Sequence, residues 1–318
     1  MLDEKTIQLA LEWSSKITGL HWKKIEPPQA LAGQNKILIL TTESGISAVL
    51  RISPATAPWA RSGLYIKERL LKAGHAVPVE IAATKLMDTP FWASLQSVVP
   101  GEDLICCWQN LNQAQAASVA TDVAHLVLDS LTIFKDLEPD GHFGRFAPPT
   151  GEKSNRSKNW PMFCQEWLDW AGGRALAVEQ VDKKDMSCLQ EAIKRIEPVL
   201  RAASIKTFIF DAGARNVMIK NGQYAGLVDQ DELMMGDPWV VPALALSELS
   251  ICGAPWIEHY ALSWAHAWNG NKNDMSKMYL YAALWNLQAA AKTGRILPDG
   301  RMETAIPSGL IQQLCLSV

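Results

Sequence analysis

One short segment constrains the fold more than any other. It runs from Lys206 through Asp211, Asn216 and Asn221-Gly222 to Asp229. Asn221-Gly222 stands between two apolar runs. A two-residue type I′ turn needs positive φ at both central residues, and Asn and Gly tolerate it best. A hairpin closed there pairs Lys220 with Gln223 and sets Asn216 opposite Leu227. Asp229 then shares that face one diagonal step away, about 7–8 Å between α-carbons. Asp211 ends the preceding apolar run. Three oxygen-bearing side chains are therefore expected at the open end of one hairpin.

The surrounding chain divides into a β-rich first third and a helical remainder. Lys36–Thr41 is strand-like, Glu43-Ser44-Gly45 is a turn, and Ile46–Ser53 alternates, with Ala48, Leu50 and Ile52 on one face and Val49 and Arg51 on the other. A helix is predicted from about Pro58 to Ala73. Val98-Val99-Pro100-Gly101 marks a boundary, giving expected lobes of 1–99 and 100–318. Beyond it, helical spacing predicts helices over 113–134, from Trp160 to the Gly172-Gly173 pair, and over 184–203. Residues 140–160 show no pattern and read as a functional or mobile loop. The expected class is α+β, two-lobed, with one hairpin embedded in the helical half.

Asp, Asn and Asp at one hairpin end suit a hard divalent cation, which takes oxygen ligands from protein, phosphate and water. Phosphoryl transfer also needs a carboxylate to orient an attacking hydroxyl and accept its proton. The bland alternative is that these are ordinary strand-end turn residues.

Asp211-x-x-x-x-Asn216, Val217-Met-Ile, Leu227-Val228-Asp229 and Gly236-Asp237-Pro238 together resemble the aminoglycoside phosphotransferase family, small-molecule kinases with a protein-kinase-like fold. The resemblance covers most of the chain. It implies Asp211 as catalytic base, Asn216 and Asp229 as Mg²⁺ ligands, and ATP or GTP as phosphoryl donor. It places Arg51 on the phosphates, with Glu68 as its partner on the following helix. Val49 would then lie over the adenine, whose edge would meet backbone groups near Ser97 and Val99. Asp237 reads as structural or as a helix cap.

Two positions depart from the family pattern. Ile209-Phe210 stands where His-Gly usually precedes the catalytic Asp, and Val241 where a further Asp is usual. The glycine-poor Leu31–Lys36 stretch is the expected phosphate-covering loop. These changes leave two readings: an active kinase with an apolar contact replacing a hydrogen bond, or an inactive, nucleotide-binding pseudokinase acting as scaffold or sensor.

Composition narrows the partners. The net charge of −3 argues against a nucleic-acid binder relying on a basic surface. No run of 18 uninterrupted apolar residues suggests a membrane span. Six scattered cysteines without C-x-x-C spacing fit reduced thiols, and no secretory leader is evident, so a cytoplasmic location is expected. The remaining partner is a small-molecule acceptor; oligomeric state is open. Between Val240 and Val318 acids and bases balance at five each, so no strongly acidic acceptor pocket is expected there. The chain carries 13 tryptophans. Trp160, Trp167 and Trp170, and Trp256, Trp264 and Trp268, recur at helical spacing, which fits core packing or an aromatic wall for the acceptor.

Overall fold

Alternation in the first third builds a sheet that buries one face. The computed structural model describes residues 4–25, 36–54, 59–137, 143–147, 152–153, 157, 159–292, 307 and 309–318. Helix α1 (Glu4–Thr18) precedes β1 (Lys23–Ile25), β2 (Lys36–Thr41) and β3 (Ser47–Pro54). Helix α2 (Trp59–Lys72) then leads to β4 (Glu80–Lys85) and β5 (Phe91–Ser97). The strands form an antiparallel sheet in the order β1-β2-β3-β5-β4. Leu38, Leu40, Ala48, Leu50, Ile52, Ala93 and Leu95 fill its inner face against Ile7 and Ala10 of α1. Each of these leucine and isoleucine side chains contributes about 1.5–3 kcal/mol of burial. Val49 and Arg51, on the opposite face, stay half-buried as the alternation predicts. The Leu31–Asn35 part of the expected phosphate-covering loop lies outside the described residues.

Helix α2 turns Ile66 and Leu70 toward a second, larger core. That core belongs to the rest of the chain, which begins with β6 (Glu102–Asp103), α3 (Leu104–Cys107) and α4 (Gln113–Ile133). Strands β7 (Gly144–Ala147) and β8 (Glu152–Lys153) follow, then α5 (Trp160–Ala177), α6 (Lys183–Arg201), β9 (Lys206–Ile209), β10 (Val217–Lys220), β11 (Gln223–Leu227) and β12 (Leu233–Gly236). The chain closes with α7 (Val240–Cys252), α8 (Ile257–Ala267), α9 (Lys272–Ala290) and α10 (Leu310–Leu316). Reciprocal capping boxes at Asn112, Asp182 and Asn271 start α4, α6 and α9, satisfying N–H groups that a helix start leaves open. Helix α4 is long and apolar enough to cross a membrane. Its buried Val119, Val123 and Val127 instead belong to the core, where α4 packs on α8 and β9.

Three local expectations change. The 206–229 region is not one hairpin: β10 and β11 pair with each other and with β6, whereas β9 pairs with β12 in a sheet ordered β8-β7-β12-β9. Residues 140–160 are not all loop, because β7 adds to that second sheet through pairs such as Leu233 with Phe146. Helix α5 continues through Gly172-Gly173 to Ala177, because the missing Cβ of Gly172 admits Met186 of α6.

Candidate active site

The hairpin turn forms as the sequence requires, with Asn221 and Gly222 at φ 54° and 77° and Lys220 paired with Gln223. Between Met218 and Ile219 the register slips by one residue, so that Val217 pairs with Leu227. Asn216 consequently faces Val228, whose N–H donates to the Asn216 carbonyl at 2.9 Å, and not Leu227 as simple alternation predicts. The cause is a β-bulge on β11. Gly226 takes φ 151°, close to the Ala76 carbonyl, and the Leu227 N–H leaves the ladder to donate to Ala76 at 2.9 Å. The bulge thus ties the hairpin to the segment that precedes β4.

Asp229 follows with φ 66°, a left-handed conformation that Asp tolerates better than most residues and that clusters at functional sites. Its carboxylate meets Arg51 from β3 at 2.9 Å. Arg51 also ion-pairs with Asp231, and both side chains are nearly buried, at 11% and 13% exposure. Burial opposes the Arg51 charge, but Asp231 and then Asp229 outweigh it and raise its pKa, so the guanidinium stays charged.

Glu68 is not the partner of Arg51. It lies exposed on α2. The α2 face turned inward carries Gly63 and Lys67 instead. A Cβ on Gly63 would lie 2.3 Å from the Asp231 carboxylate, so the helix approaches Asp231 only because that side chain is missing. Lys67, one position before Glu68, is buried and bonds Glu80 of β4 at 2.8 Å. Helical phase decides the matter: a one-residue step rotates a side chain by about 100°, from the interior to solvent.

Asp211 sits half-buried at the end of β9. Burial, then Asp229, then Glu248, push its carboxyl up to about 7, with Arg145 opposing and Glu232 adding. Asn216 donates its side-chain N–H to the Asp211 carbonyl at 3.0 Å, which leaves its amide oxygen as the acceptor end. Asp211, Asn216 and Asp229 offer only oxygen donors, and the carboxylates repel one another. That donor set suits a hard divalent cation completed by phosphate oxygens and water. Among the described residues no cluster of three or more His, Cys, Asp or Glu forms a closed metal cage.

Ser97 ends β5 of the N-terminal sheet. The Ser97 N–H and hydroxyl are both taken by Val79, the N–H donating to the Val79 carbonyl and Oγ accepting from its N–H at 2.9 Å. Val98 and Val99 continue beyond the strand, and Val99 lies against Gly226. Val49 pairs with Gln96 in the β3–β5 register, on the face shared with Arg51.

Packing absorbs the departures from the family pattern. Phe210 lies against Trp285 at 5.6 Å between ring centroids, with the Arg145 guanidinium 4.9 Å over its ring. Arg145 in turn ion-pairs with Glu232. Ile209 and Val241 are almost fully buried. Asp237 is structural: buried, it accepts from Lys277 at 2.9 Å, from the Tyr281 hydroxyl at 3.0 Å and from the Trp239 N–H at 3.2 Å. Tyr281 itself accepts from Trp160 at 2.6 Å. Trp160, Trp167, Trp256 and Trp264 are buried, so these four pack as core, while Trp170 is half-exposed beneath Arg174. Sequence reasoning missed Lys67, Glu80, the placement of Arg145 and the pairing of Asp231 with Arg51. Of these, only Asp231 carried a signal, a second carboxylate two residues after Asp229.

Solved structures with the same fold span nearly the whole chain. A thermostable mutant of aminoglycoside phosphotransferase APH(4)-Ia, in ternary complex with AMP-PNP and hygromycin B, matches with a TM-score of 0.59 at 16% identity, covering 96% of this chain and 98% of that one. A protein assigned as a fructosamine-3-kinase from Thermobifida fusca matches at 0.60 and 12% identity, covering 97% and 98%. ADP-bound aminoglycoside phosphotransferase APH(2'')-Ib matches at 0.54 and 12%, covering 99% and 98%. No curated protein matches the chain in sequence. A family model for phosphotransferase enzymes matches residues 24–281. With a two-lobed, kinase-like α+β fold and a match over most of its length, the chain belongs to the phosphotransferase enzyme family and is a small-molecule kinase.

Proposed function

We propose that this kinase transfers the γ-phosphoryl group of ATP, taken up with Mg²⁺, to a hydroxyl of a small-molecule acceptor, with Asp211 as the base. The observation that carries the reading is the meeting of Arg51 from the N-terminal sheet with Asp229 at the open end of the hairpin, beside Asp211 and Asn216. Residues 1–99 would form the nucleotide-binding lobe and 100–318 the catalytic and acceptor-binding lobe. AMP-PNP and hygromycin B in one structural relative support a nucleotide donor and a small hydroxylated acceptor.

In this reading Arg51 orients the donor phosphates and offsets their charge. Asn216 and Asp229 would hold the divalent cation, which when bound neutralises charge on the phosphate oxygens. Asp211, raised toward neutrality by its burial and by Asp229, accepts the proton of the attacking hydroxyl. Val49 would pack on the adenine, with the chain at Ser97–Val99 along its edge. The close packing of Phe210 and Val241 weighs against an inactive scaffold, because both apolar replacements sit in filled positions.

The test is a mass-shift screen of amino alcohols, sugars, fructosamines and aminoglycosides with ATP or GTP and Mg²⁺. A phosphate gain on one class, abolished by Asp211→Asn, is the expected result. Nucleotide binding without transfer to any acceptor or to water overturns it.

A further inference from the structure

The loop from Asp211 to Asn216 carries both the base and a cation ligand, yet only part of it is held by its own hydrogen bonds. The Ala212 N–H donates to the Phe210 carbonyl and the Asn216 N–H to the Gly213 carbonyl, both at 3.0 Å. The successive N–H groups of Ala214 and Arg215 turn instead toward α7. There the Glu248 carboxylate accepts from the Arg215 N–H at 3.3 Å and from the Arg215 Nε–H at 3.1 Å, with the Ala214 N–H beside it. Adjacent backbone N–H groups that converge in this way form an anion-binding concavity.

The contact is close and enclosed. A Cβ on Gly213 would lie 2.7 Å from the Glu248 carboxylate and 3.0 Å from Leu244, so the loop sits directly on the helix. Glu248 is 14% exposed. From the other side the Ala214 carbonyl accepts the Ile105 N–H of α3 at 3.3 Å. The loop is thus gripped at its middle, and the Asn216 side chain transmits that position to Asp211 through their hydrogen bond.

We propose that Glu248 is a positioning residue: its carboxylate, bound in the Ala214–Arg215 concavity, sets where Asp211 and Asn216 stand. It touches neither reactants nor cation; it acts through the loop. The turnover part of this inference rests on the kinase reading above, while the anchoring part does not.

Two measurements separate them. Amide hydrogen exchange over 211–216 in the ligand-free chain is expected to accelerate about tenfold or more in Glu248→Ala, the factor of one lost charged hydrogen bond. Glu248→Gln keeps an acceptor oxygen and is expected to show a smaller acceleration, while protection elsewhere in α7 stays unchanged. Turnover is expected to fall about 10–100-fold in Glu248→Ala, as for displaced catalytic groups generally. KM for ATP should change far less, and Glu248→Gln should recover part of the loss. Unchanged exchange over 211–216 overturns the proposal whatever the enzyme does. So does a loss of protection spread over the whole chain. If Glu248→Ala fails to fold, unaltered exchange in Glu248→Gln overturns it equally. Faster exchange in a wild-type background that transfers no phosphate leaves the anchor standing and removes the kinase reading alone.

Discussion

Arg51 and Asp231 form a buried ion pair across 180 residues of sequence, joining the third strand of the N-terminal sheet to the turn that follows Asp229. The anchor of the proposed phosphate-binding arginine therefore belongs to the C-terminal part of the chain and not to helix α2. Were Asp229 to hold a cation, as proposed, Asp231 would still hold the guanidinium.

Removing that anchor is expected to weaken nucleotide binding more than any change on α2. Asp231→Ala removes the more enclosed of the two carboxylates on a buried guanidinium and leaves Asp229, so the loss should approach but not exceed the about 3–5 kcal/mol typical of a broken buried pair. KM for ATP should rise at least tenfold and stability should fall, read by initial rates and urea unfolding. Glu68→Gln, at an exposed position, should leave both within experimental scatter.

Gly63→Ala tests the same contact from the helix side. The added methyl would meet the Asp231 carboxylate at 2.3 Å, and overpacking of this kind costs about 1–3 kcal/mol. The expected result is a lower thermal midpoint together with weaker nucleotide binding, measured by calorimetry and titration with AMP-PNP.

Asp211 makes stability depend on pH. Its carboxyl is raised from 3.8 to about 7, so the folded chain keeps a proton that the unfolded chain releases. The stability this contributes is complete below about pH 4 and is lost as pH rises through 7. Relative to wild type, Asp211→Asn should therefore gain stability between pH 5 and pH 8. The gain is about 2 kcal/mol once water screening of a partly exposed group is allowed for. Urea titrations at the two pH values read it directly. The same variant should lose turnover by about 10²–10⁴-fold, the usual contribution of a positioned base.

The Asp237–Lys277 pair should matter for stability and not for chemistry. Asp237→Ala leaves the buried Lys277 ammonium with only Asp274, at 3.1 Å, for an expected loss of up to about 3–5 kcal/mol in urea unfolding. Asp237→Leu combined with Lys277→Met should recover much of that loss, since it removes both charges together.

Much of the architecture was legible because it rests on local rules. Alternation over 46–53 set which side of β3 meets the core, and Asn221-Gly222 set the turn and its first residue pair. The spacing of Asp211, Asn216 and Asp229 pointed to the candidate site, because Asn216 and Asp229 flank the hairpin strands at their open end and Asp211 lies five residues before Asn216. The departures came where contacts are distant in sequence. The bulge at Gly226 exists because Ala76 takes the Leu227 N–H, and nothing in the hairpin itself announces that partner.

The sequence alone thus determined strand β3, the turn and the family, and pointed to three oxygen donors, since each rests on a short stretch of chain. Only the tertiary structure decided which carboxylate holds Arg51, and which carboxylate grips the loop of Asp211. Helical phase turns Glu68 to solvent, and close packing at Gly63 and Gly213 brings Asp231 and Glu248 into reach. Such pairings depend on how whole elements approach one another, and that distance is set by the packing of the assembled core.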